Sequence, residues 1–315
     1  MEFTFNGVIP ENITFNGNFV ERVECNGVTV WEHEPTGKSS LKITANSEST
    51  VSMVHDNNSS ERFETPNVKY SLDNGLTWIE LTFTQDSNNS EIAYSTSFTL
   101  LQGESILFKG NNPNGFNNYV LDDTSGKRYY YWNYKKFIIE GDVNVSGNVM
   151  SLIDNGACTT TTIPCAYCFY NLFSRCTGIT SILSGLLPAT KLYGGCYESM
   201  FRDCTSLSNV PDDLLPSLEV EASSYRSMFQ RCTSLTRAPE LNARYATYSA
   251  YDSMFWGCTS LSYIYCKLTT LGTSPSPTNM WVKDVSSKGI FYKLSGVTWE
   301  TGVSGIPKGW TVKNI

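Results

Sequence analysis

A segment of thirteen residues occurs four times in the second half of the chain. Each copy holds an aromatic residue, a Met-Phe or Leu-Phe pair and a Cys-Thr pair at fixed spacing, and the copies are CFYNLFSRCTGIT from Cys168, CYESMFRDCTSLS from Cys196, SYRSMFQRCTSLT from Ser224 and AYDSMFWGCTSLS from Ala250. The steps between copies are 28, 28 and 26 residues. A near-constant period of this length is typical of repeat proteins, whose units bury their apolar faces only against their neighbours. The sequence therefore predicts a solenoid, and solenoids usually serve recognition.

Within each copy the aromatic residue, the Met-Phe pair and the Cys recur at i, i+3/i+4 and i+7, which predicts one face of a short helix. The string Ser206–Pro211 after the second copy predicts a strand with Leu207 and Val210 pointing inward. Residues 267–315 break the period and are expected to cap the last open unit. The side chains expected to form the packed frame are Phe173, Cys176, Phe201, Cys204, Phe229, Cys232, Phe255 and Cys258.

Cysteine usage follows the repeat, since nine of the ten cysteines lie between Cys158 and Cys266. A buried thiol behaves as a small apolar side chain, so we interpret the recurrent cysteines as reduced core residues. The string Cys165-Ala-Tyr-Cys168 leaves two alternatives open, a disulfide and, together with Cys158 and Cys176, a four-thiolate zinc site. Packing is the preferred interpretation, and no metal or cofactor is assigned.

The first 150 residues predict β-structure. Three Asn-Gly pairs in residues 1–36 indicate hairpin turns, and this short segment is interpreted as an anchor that docks on another protein. Pro35–Ser40 predicts a linker. Short strand-like stretches in residues 37–150 predict an antiparallel, Ig-like β-sandwich; they include the alternating sets Leu41, Ile43, Ala45 and Val68, Tyr70, Leu72, and the runs Trp78–Phe83, Ile106–Phe108 and Val143–Val145. The aromatic run Tyr129–Trp132 is either a platform on which a glycan stacks or part of a packed strand. The predicted fold is mainly β with short helices: hairpin anchor 1–36, sandwich 37–150, solenoid 151–266 and cap 267–315.

Composition and motifs argue against several function classes. Lys and Arg total 23 against 30 Asp and Glu, a net charge of −7 without a basic cluster, which disfavours nucleic acid as a partner. No apolar run is long enough to span a membrane, and no secretory signal is recognised. His33 and His55 lie in polar stretches and are expected on the surface. The pairs Asp122-Asp123 and Asp212-Asp213 are interpreted as turn residues, so we expect no enzyme.

The repeated string Phe-x-x-Cys-Thr-Ser-Leu followed by a strand resembles the BspA-like leucine-rich-repeat family over residues 150–315. The FNG strings and NGVTVWE (Asn26 to Glu32) resemble the openings of virion proteins of phages and prophages of gut Bacteroidota. Together these resemblances imply a phage virion protein of the tail-fibre, receptor-binding type. The alternatives are a bacterial cell-surface adhesin, since surface members of the repeat family bind host or matrix components, and a virion decoration or head-fibre protein without a receptor.

The expected contact surface consists of positions that vary between copies, because frame positions are used for packing. Trp256 stands where the other copies have Ser174, Arg202 and Gln230, and is either an anchor for a sugar or protein or a contact with the cap. The candidate contact residues are Arg202, Asn209, Arg226, Gln230, Arg237, Asp252, Trp256 and Tyr263.

The expected partners follow from the fibre-like role. They are other virion proteins, reached through the N-terminal segment, and a host surface protein or glycan. Fibre-like proteins are usually symmetric homo-oligomers, and the role suggests a trimer. The expected location is the virion, with the bacterial cell surface as the alternative.

Overall fold

The structure is a computed structural model that describes the strands between residues 13 and 32 and the backbone of 39–57, 67–122, 129–269 and 276–315, with side chains in 39–56, 67–117, 134–269 and 276–315. It is mainly β and contains several antiparallel sheets, as predicted. Within these ranges no helix reaches seven residues.

Two hairpins form near the N-terminus. Strands β1 (Ile13–Phe15) and β2 (Asn18–Val20) pair antiparallel, as do β3 (Arg22–Cys25) and β4 (Val28–Glu32). Each pair flanks one of the predicted Asn-Gly turns, so these two hairpin predictions are confirmed. The third Asn-Gly pair, at residues 6–7, and the predicted linker residues 35–38 lie outside the described residues.

The next part of the chain forms two six-stranded sheets. The order of the first is β16-β15-β5-β12-β7-β8, and its strands are β5 (Leu41–Ala45), β7 (Lys69–Ser71), β8 (Ile79–Glu80), β12 (Ser105–Lys109), β15 (Val143–Ser146) and β16 (Ile179–Ile182). The order of the second is β13-β14-β6-β10-β9 with β11 also on β6, and its strands are β6 (Ser49–Asn57), β9 (Phe83–Gln85), β10 (Ile92–Ser95), β11 (Phe98–Leu100), β13 (Asn118–Asp122) and β14 (Tyr129–Glu140). Every pairing is antiparallel except β15 with β16.

Alternating apolar residues put one face of each sheet into a shared core. In β5, Leu41, Ile43 and Ala45 are buried while the residues between them are half-buried. The rings of Phe108 in the first sheet and Phe137 in the second lie 5.0 Å apart. The aromatic run 129–132 lies in β14, as the strand interpretation predicted, although its side chains lie outside the described residues.

Three expectations for the sheets are wrong. Val68 is buried but Leu72 is 55% exposed, because the strand between them ends at Ser71 and the chain turns there. The predicted run 78–83 is divided, and its two ends belong to β8 and β9 in different sheets. His55 is fully buried rather than on the surface, because β6 is central and pairs with β10 and β14 on either side.

Each repeat copy is a chain of turns, so the predicted short helix is wrong. Every fourth residue has a positive φ; for the first copy these are Tyr167, directly before it, and Asn171 and Arg175 within it, at 58°, 57° and 66°. Alternate N–H groups bond within the copy, as Tyr170 N does to the Tyr167 carbonyl at 3.0 Å. The remaining N–H groups bond to the next copy. A spacing of four residues fits both a helix face and a run of four-residue turns, which is why the pattern was ambiguous.

Two columns of buried rings run through the stacked copies. One starts in the second sheet: Phe137, Phe173, Phe201, Phe229 and Phe255 follow one another at 5.0, 5.5, 5.7 and 5.9 Å. The other joins Phe169, Tyr197, Tyr225 and Tyr251 at 5.8, 6.2 and 5.7 Å. The sheets and the copies therefore share one continuous apolar core.

The segments between copies carry short parallel pairings. Leu207 and Val210 point inward as predicted, at 0% and 7% exposure, but their stretch makes only an isolated bridge between Ser181 and Asn209. A full strand forms after the fourth copy as β19 (Tyr263–Cys266). Further along the segments, β17 (Glu219–Val220) pairs with β18 (Tyr245–Ala246). Two 3-10 turns span Val149–Leu152 and Asp212–Leu214.

Residues 276–315 continue the backbone pattern without the Phe-x-x-Cys signature. Phe255 N donates to the Trp281 carbonyl at 2.8 Å, and Met280 and Asp284 carry the positive φ angles. Both ring columns converge on the fully buried Trp281, which lies 6.2 Å from Phe255 and 6.4 Å from Tyr251 and stacks on Trp299 at 5.5 Å. Strands β20 (Ile290–Lys293) and β21 (Thr311–Asn314) add to β19 in parallel.

The ring column predicts a large cost for truncating one of its members. We expect Phe229→Ala to lower the free energy of unfolding by about 3–5 kcal/mol, because it removes a ring packed on both faces and leaves a cavity. Phe229→Leu should cost less, and Tyr245→Ala, at a side chain 60% exposed, should cost about 0.5 kcal/mol or less. Urea unfolding followed by circular dichroism measures all three. A Phe229→Ala loss no larger than that of Tyr245→Ala would contradict the column.

Candidate functional site

In the turns, the backbone bonds that join the copies all run in the same direction, whereas after the Cys-Thr pair the direction reverses, as Ser208 N donates to Thr180 O at 3.0 Å. Within the turns, an N–H of one copy donates to a carbonyl of the next, as Phe173 does to Met200 at 2.9 Å and Phe201 does to Met228 at 2.9 Å. The carbonyls of the first copy accept from the second sheet instead: Asn117 N donates to Cys168 O at 2.8 Å, and Phe137 N to Leu172 O at 2.8 Å. Because each copy is bonded and packed on both sides, the side chains between the frame positions are held in fixed rows.

The recurrent thiols are hydrogen-bond donors inside this frame. Three of them donate to the carbonyl of the Phe in the preceding copy, as Cys204 Sγ does to Phe173 O at 3.1 Å and Cys258 Sγ does to Phe229 O at 2.9 Å, and Cys176 Sγ donates to Phe137 O of β14 at 3.3 Å. Burial raises the pKa of Cys176 and Cys258 to about 12. All eight frame side chains are at most 1% exposed. These thiols therefore stay protonated at neutral pH and contribute packing and a weak hydrogen bond.

The cysteines from Cys158 to Cys266 are free thiols. In the part of the chain that the structure describes, no three His, Cys, Asp or Glu side chains are grouped so that they could hold a metal ion. A hydrogen bond with the Cys168 thiol lowers the pKa of half-buried Cys165, and nearby Lys135 lowers it further. Burial raises the pKa of Cys168 itself. Cys165 is thus the thiol of this group best placed to react.

This contrast predicts the order in which the thiols react. At pH 8 a thiol with a pKa of about 12 is ionised in roughly one molecule in ten thousand, and the thiolate is the reactive form. Native protein treated with iodoacetamide should therefore be alkylated first at Cys165, while Cys176 and Cys258 react only after denaturation. Peptide mass spectrometry after timed quenching measures this. Equal native labelling of Cys165 and Cys258 would contradict the burial of the frame.

We call the face formed by the turns of the copies the turn side, and the face formed by the segments between copies the strand side. Candidate residues on the turn side contact their equivalents in neighbouring copies. Glu198, Arg226, Asp252 and Asn279 occupy equivalent positions, one per unit. The Arg226 guanidinium lies 3.7 Å from the Glu198 carboxylate, and the Asn279 amide donates to Asp252 at 3.2 Å. Arg226 and Asp252 therefore form part of a row of alternating charge, which favours the observed register of the copies.

A second row lies beside the first. Asp203 is 3.3 Å from the Arg231 guanidinium and 3.5 Å from Nε of the candidate Arg202. The candidate Gln230 differs from the rest, since its side chain is buried with 4% exposed and does not offer a surface contact. Exposed ion pairs of this kind add about 0–1 kcal/mol each, so the rows adjust the register rather than hold the stack together.

Trp256 contacts the segment that follows the fourth copy. Its indole Nε1 donates to Asp284 at 3.0 Å, and Lys283 Nζ lies 4.6 Å from the ring centre. The side chain is half-buried. Of the two interpretations, an anchor for a partner or a contact with the C-terminal segment, the second describes the contacts that Trp256 makes in this structure.

On the strand side the candidates Arg237 and Tyr263 lie in contact with each other. Arg237 donates to both carboxylate oxygens of Asp212, at 2.9 and 3.0 Å, and its guanidinium lies 3.8 Å above the Tyr263 ring. Tyr263 in turn lies 5.3 Å from Tyr292, over which Lys313 is placed at 5.6 Å. We call these five residues the cation–aromatic row. The candidate Asn209 is exposed on an earlier segment of the same side.

A groove that sequence reasoning missed crosses three successive inter-copy segments. Its volume is about 440 Å³ and its lining residues are Asp213, Pro216, Leu218, Asn242, Arg244 and Lys267. None of these residues belongs to the thirteen-residue motif, so a comparison of the copies did not bring them together. The only sequence signal was the recurrence of polar residues a few positions after each strand-like stretch.

Comparison of the chain with protein-family models, with curated proteins and with solved structures found no match in any of the three. In the described ranges, no helix combines the length and the apolar character that a membrane crossing requires.

Glu198 predicts a pH-dependent stability. Burial raises its pKa to about 7, with Arg226 opposing and Asp252 adding to the shift. The folded state thus holds this proton more tightly than the unfolded state, so the stabilisation is complete below about pH 4.5 and is lost as the pH rises through 7. Linkage puts the loss at up to about 3 kcal/mol.

Urea midpoints at pH 5, 6, 7 and 8 test this expectation. Glu198→Gln cannot ionise, so its stability should fall less than that of the wild type across the series. The matched control is Glu219→Gln, at an exposed carboxylate in β17, which should run parallel to the wild type. Parallel curves for Glu198→Gln and the wild type would show that Glu198 does not titrate in this range.

Proposed function

We propose that the chain is a non-enzymatic recognition protein. Its second half is a solenoid of the BspA-like leucine-rich-repeat type, closed by a cap in residues 267–315. Its middle part is an Ig-like β-sandwich. The shared ring columns and the backbone hydrogen bonds between copies support the solenoid, and the convergence of both columns on Trp281 supports the cap.

The observation that carries the recognition role is the cation–aromatic row. It presents Arg237, Tyr263, Tyr292 and Lys313 side by side on a rigid support, with the rings partly exposed. Arginine and tyrosine are the side chains that most often dominate binding energy at protein interfaces, and tyrosine rings also stack on sugars. The turn-side candidates support the role less, since Gln230 is buried and Trp256 is their one aromatic side chain, whereas the row holds two tyrosine rings.

We further propose that the protein is carried on a phage virion as a tail-fibre or receptor-binding component. The support is the resemblance of the FNG strings and NGVTVWE to virion protein openings, together with the two short hairpins β1–β2 and β3–β4. These small hairpins are suited to dock on other virion proteins, because so few residues bury little core by themselves. The solenoid then contacts a host surface protein or glycan, and the assembly is a homo-oligomer, with a trimer as the expected number.

The row predicts a defined loss of binding. The double variant Arg237→Ala/Tyr263→Ala should lower the affinity of fluorescently labelled protein for host bacteria at least tenfold, because it removes the two central members of the row. The matched control Arg231→Ala removes an exposed arginine on the turn side and should bind as the wild type does. Flow cytometry measures binding, and circular dichroism checks that both variants fold. Equal binding by the double variant and the control would exclude the row as the contact surface.

The location is tested by mass spectrometry of purified phage particles and of host membrane fractions. Enrichment in particles together with host-cell binding is the expected result. Enrichment in the membrane fraction would replace the proposal with a cell-surface adhesin. Enrichment in particles without any cell binding would replace it with a decoration protein.

A further inference from the structure

The groove of Asp213, Pro216, Leu218, Asn242, Arg244 and Lys267 is preformed by the stacking of three segments. Arg244 N donates to Leu218 O at 3.2 Å, and Lys267 N donates to Leu241 O at 2.9 Å. The Lys267 ammonium also donates to the Asn242 side-chain oxygen at 2.7 Å. These bonds set the neighbouring segments at a fixed spacing, so the lining groups keep their relative positions before a ligand arrives.

The charge of the lining is opposite in sign to that of the whole chain. Arg244 and Lys267 supply two positive charges and Asp213 one negative charge, an excess of one positive charge in a chain of net −7. The Ser184 hydroxyl donates to Asp213, while the adjacent Asp212 is held by Arg237. Among the residues that the structure describes, neither Arg244 nor Lys267 is ion-paired with a carboxylate. The groove is therefore a local site for one negative charge.

The other lining groups narrow the class of ligand. Asn242 and Asp213 offer an amide donor and a carboxylate acceptor, which suit hydroxyl groups. Leu218, which is 64% exposed, and Pro216 offer an apolar surface to C–H groups. Asp213 opposes ligands with several negative charges, because like charges repel at short distance. A volume of about 440 Å³ falls within the range of about 300–1,000 Å³ of small-ligand pockets.

We propose that this groove binds one carboxylated sugar residue, such as a uronic acid at the end of a glycan. Arg244 and Lys267 pair with the carboxylate, Asn242 and Asp213 with ring hydroxyls, and Leu218 and Pro216 contact the apolar face of the ring. The inference rests on the proposed recognition role and specifies the chemical class of its ligand.

Calorimetric titration of the full chain tests the proposal with two disaccharides, one ending in glucuronic acid and the other in glucose. Their terminal sugars differ only at C6, which is a carboxylate in glucuronic acid and a hydroxymethyl group in glucose. The disaccharide that ends in glucuronic acid should therefore bind at least tenfold more tightly. Arg244→Gln should remove this preference, because it deletes a cation that no described carboxylate holds. The matched control Arg231→Gln deletes an exposed arginine on the turn side and should keep the preference. Lys267→Gln provides a second variant.

Three results would overturn the proposal: equal affinity for the two disaccharides, no detectable binding of either, or equal behaviour of Arg244→Gln and Arg231→Gln. A measurement of host-cell binding distinguishes failure of the groove assignment from failure of the proposed recognition role. If the wild type binds cells and Arg237→Ala/Tyr263→Ala does not, while the titrations fail, only the groove assignment is wrong. If the wild type binds no cells, the recognition role itself is wrong.

Discussion

The rest of the structure depends on the backbone hydrogen bonds that join successive copies. In an α-helix all donors beyond the first turn are used within the segment. Here, alternate donors in the turns of each copy bond within the turns, and the donors between them bond to the next copy, as Phe201 N does to Met228 O. A single copy would leave those N–H groups and its apolar rings without partners, so it has no reason to fold alone. Order in each copy therefore requires its neighbour.

This arrangement explains the choice of residues in the motif. The Phe and Tyr positions form continuous ring columns, and the Cys position supplies a small side chain whose S–H reaches the Phe carbonyl of the preceding copy, as Cys232 does to Phe201 at 3.1 Å. A larger residue would not fit a fully buried site, and alanine would lose the donor. The second sheet begins the series, because Asn117 and Phe137 donate to the carbonyls of the first copy.

Much of the architecture could be predicted from the sequence. Alternation identified β5, β12 and β15, and the repeat period identified the inward side chains at Phe229 and Cys232. The helix prediction failed because a four-residue spacing does not separate a helix from a chain of turns. The φ angles that distinguish the two structures depend on bonds to residues 25 to 27 positions further along the chain, which no local pattern reports. The prediction that His55 lies on the surface failed for a related reason, because its burial comes from strands that are distant in sequence.

The candidate contact residues fall into two groups. Variation between copies found Arg237 and Tyr263, but it also selected Arg226 and Asp252, whose variation reflects charge pairing between neighbouring copies. The groove around Arg244 was missed because its residues come from three segments outside the motif. Positions that vary between copies therefore include both residues of the proposed contact surface and residues that pair across neighbouring copies, and only the geometry of the stack separates them.

The most direct test of the inter-copy bonds is nuclear magnetic resonance detection of scalar couplings across hydrogen bonds. The amide nitrogen of Phe201 should couple to the carbonyl carbon of Met228, 27 residues later in the chain. Coupling of that nitrogen to the carbonyl of Tyr197, four residues earlier, would show a helix and contradict the stacked turns.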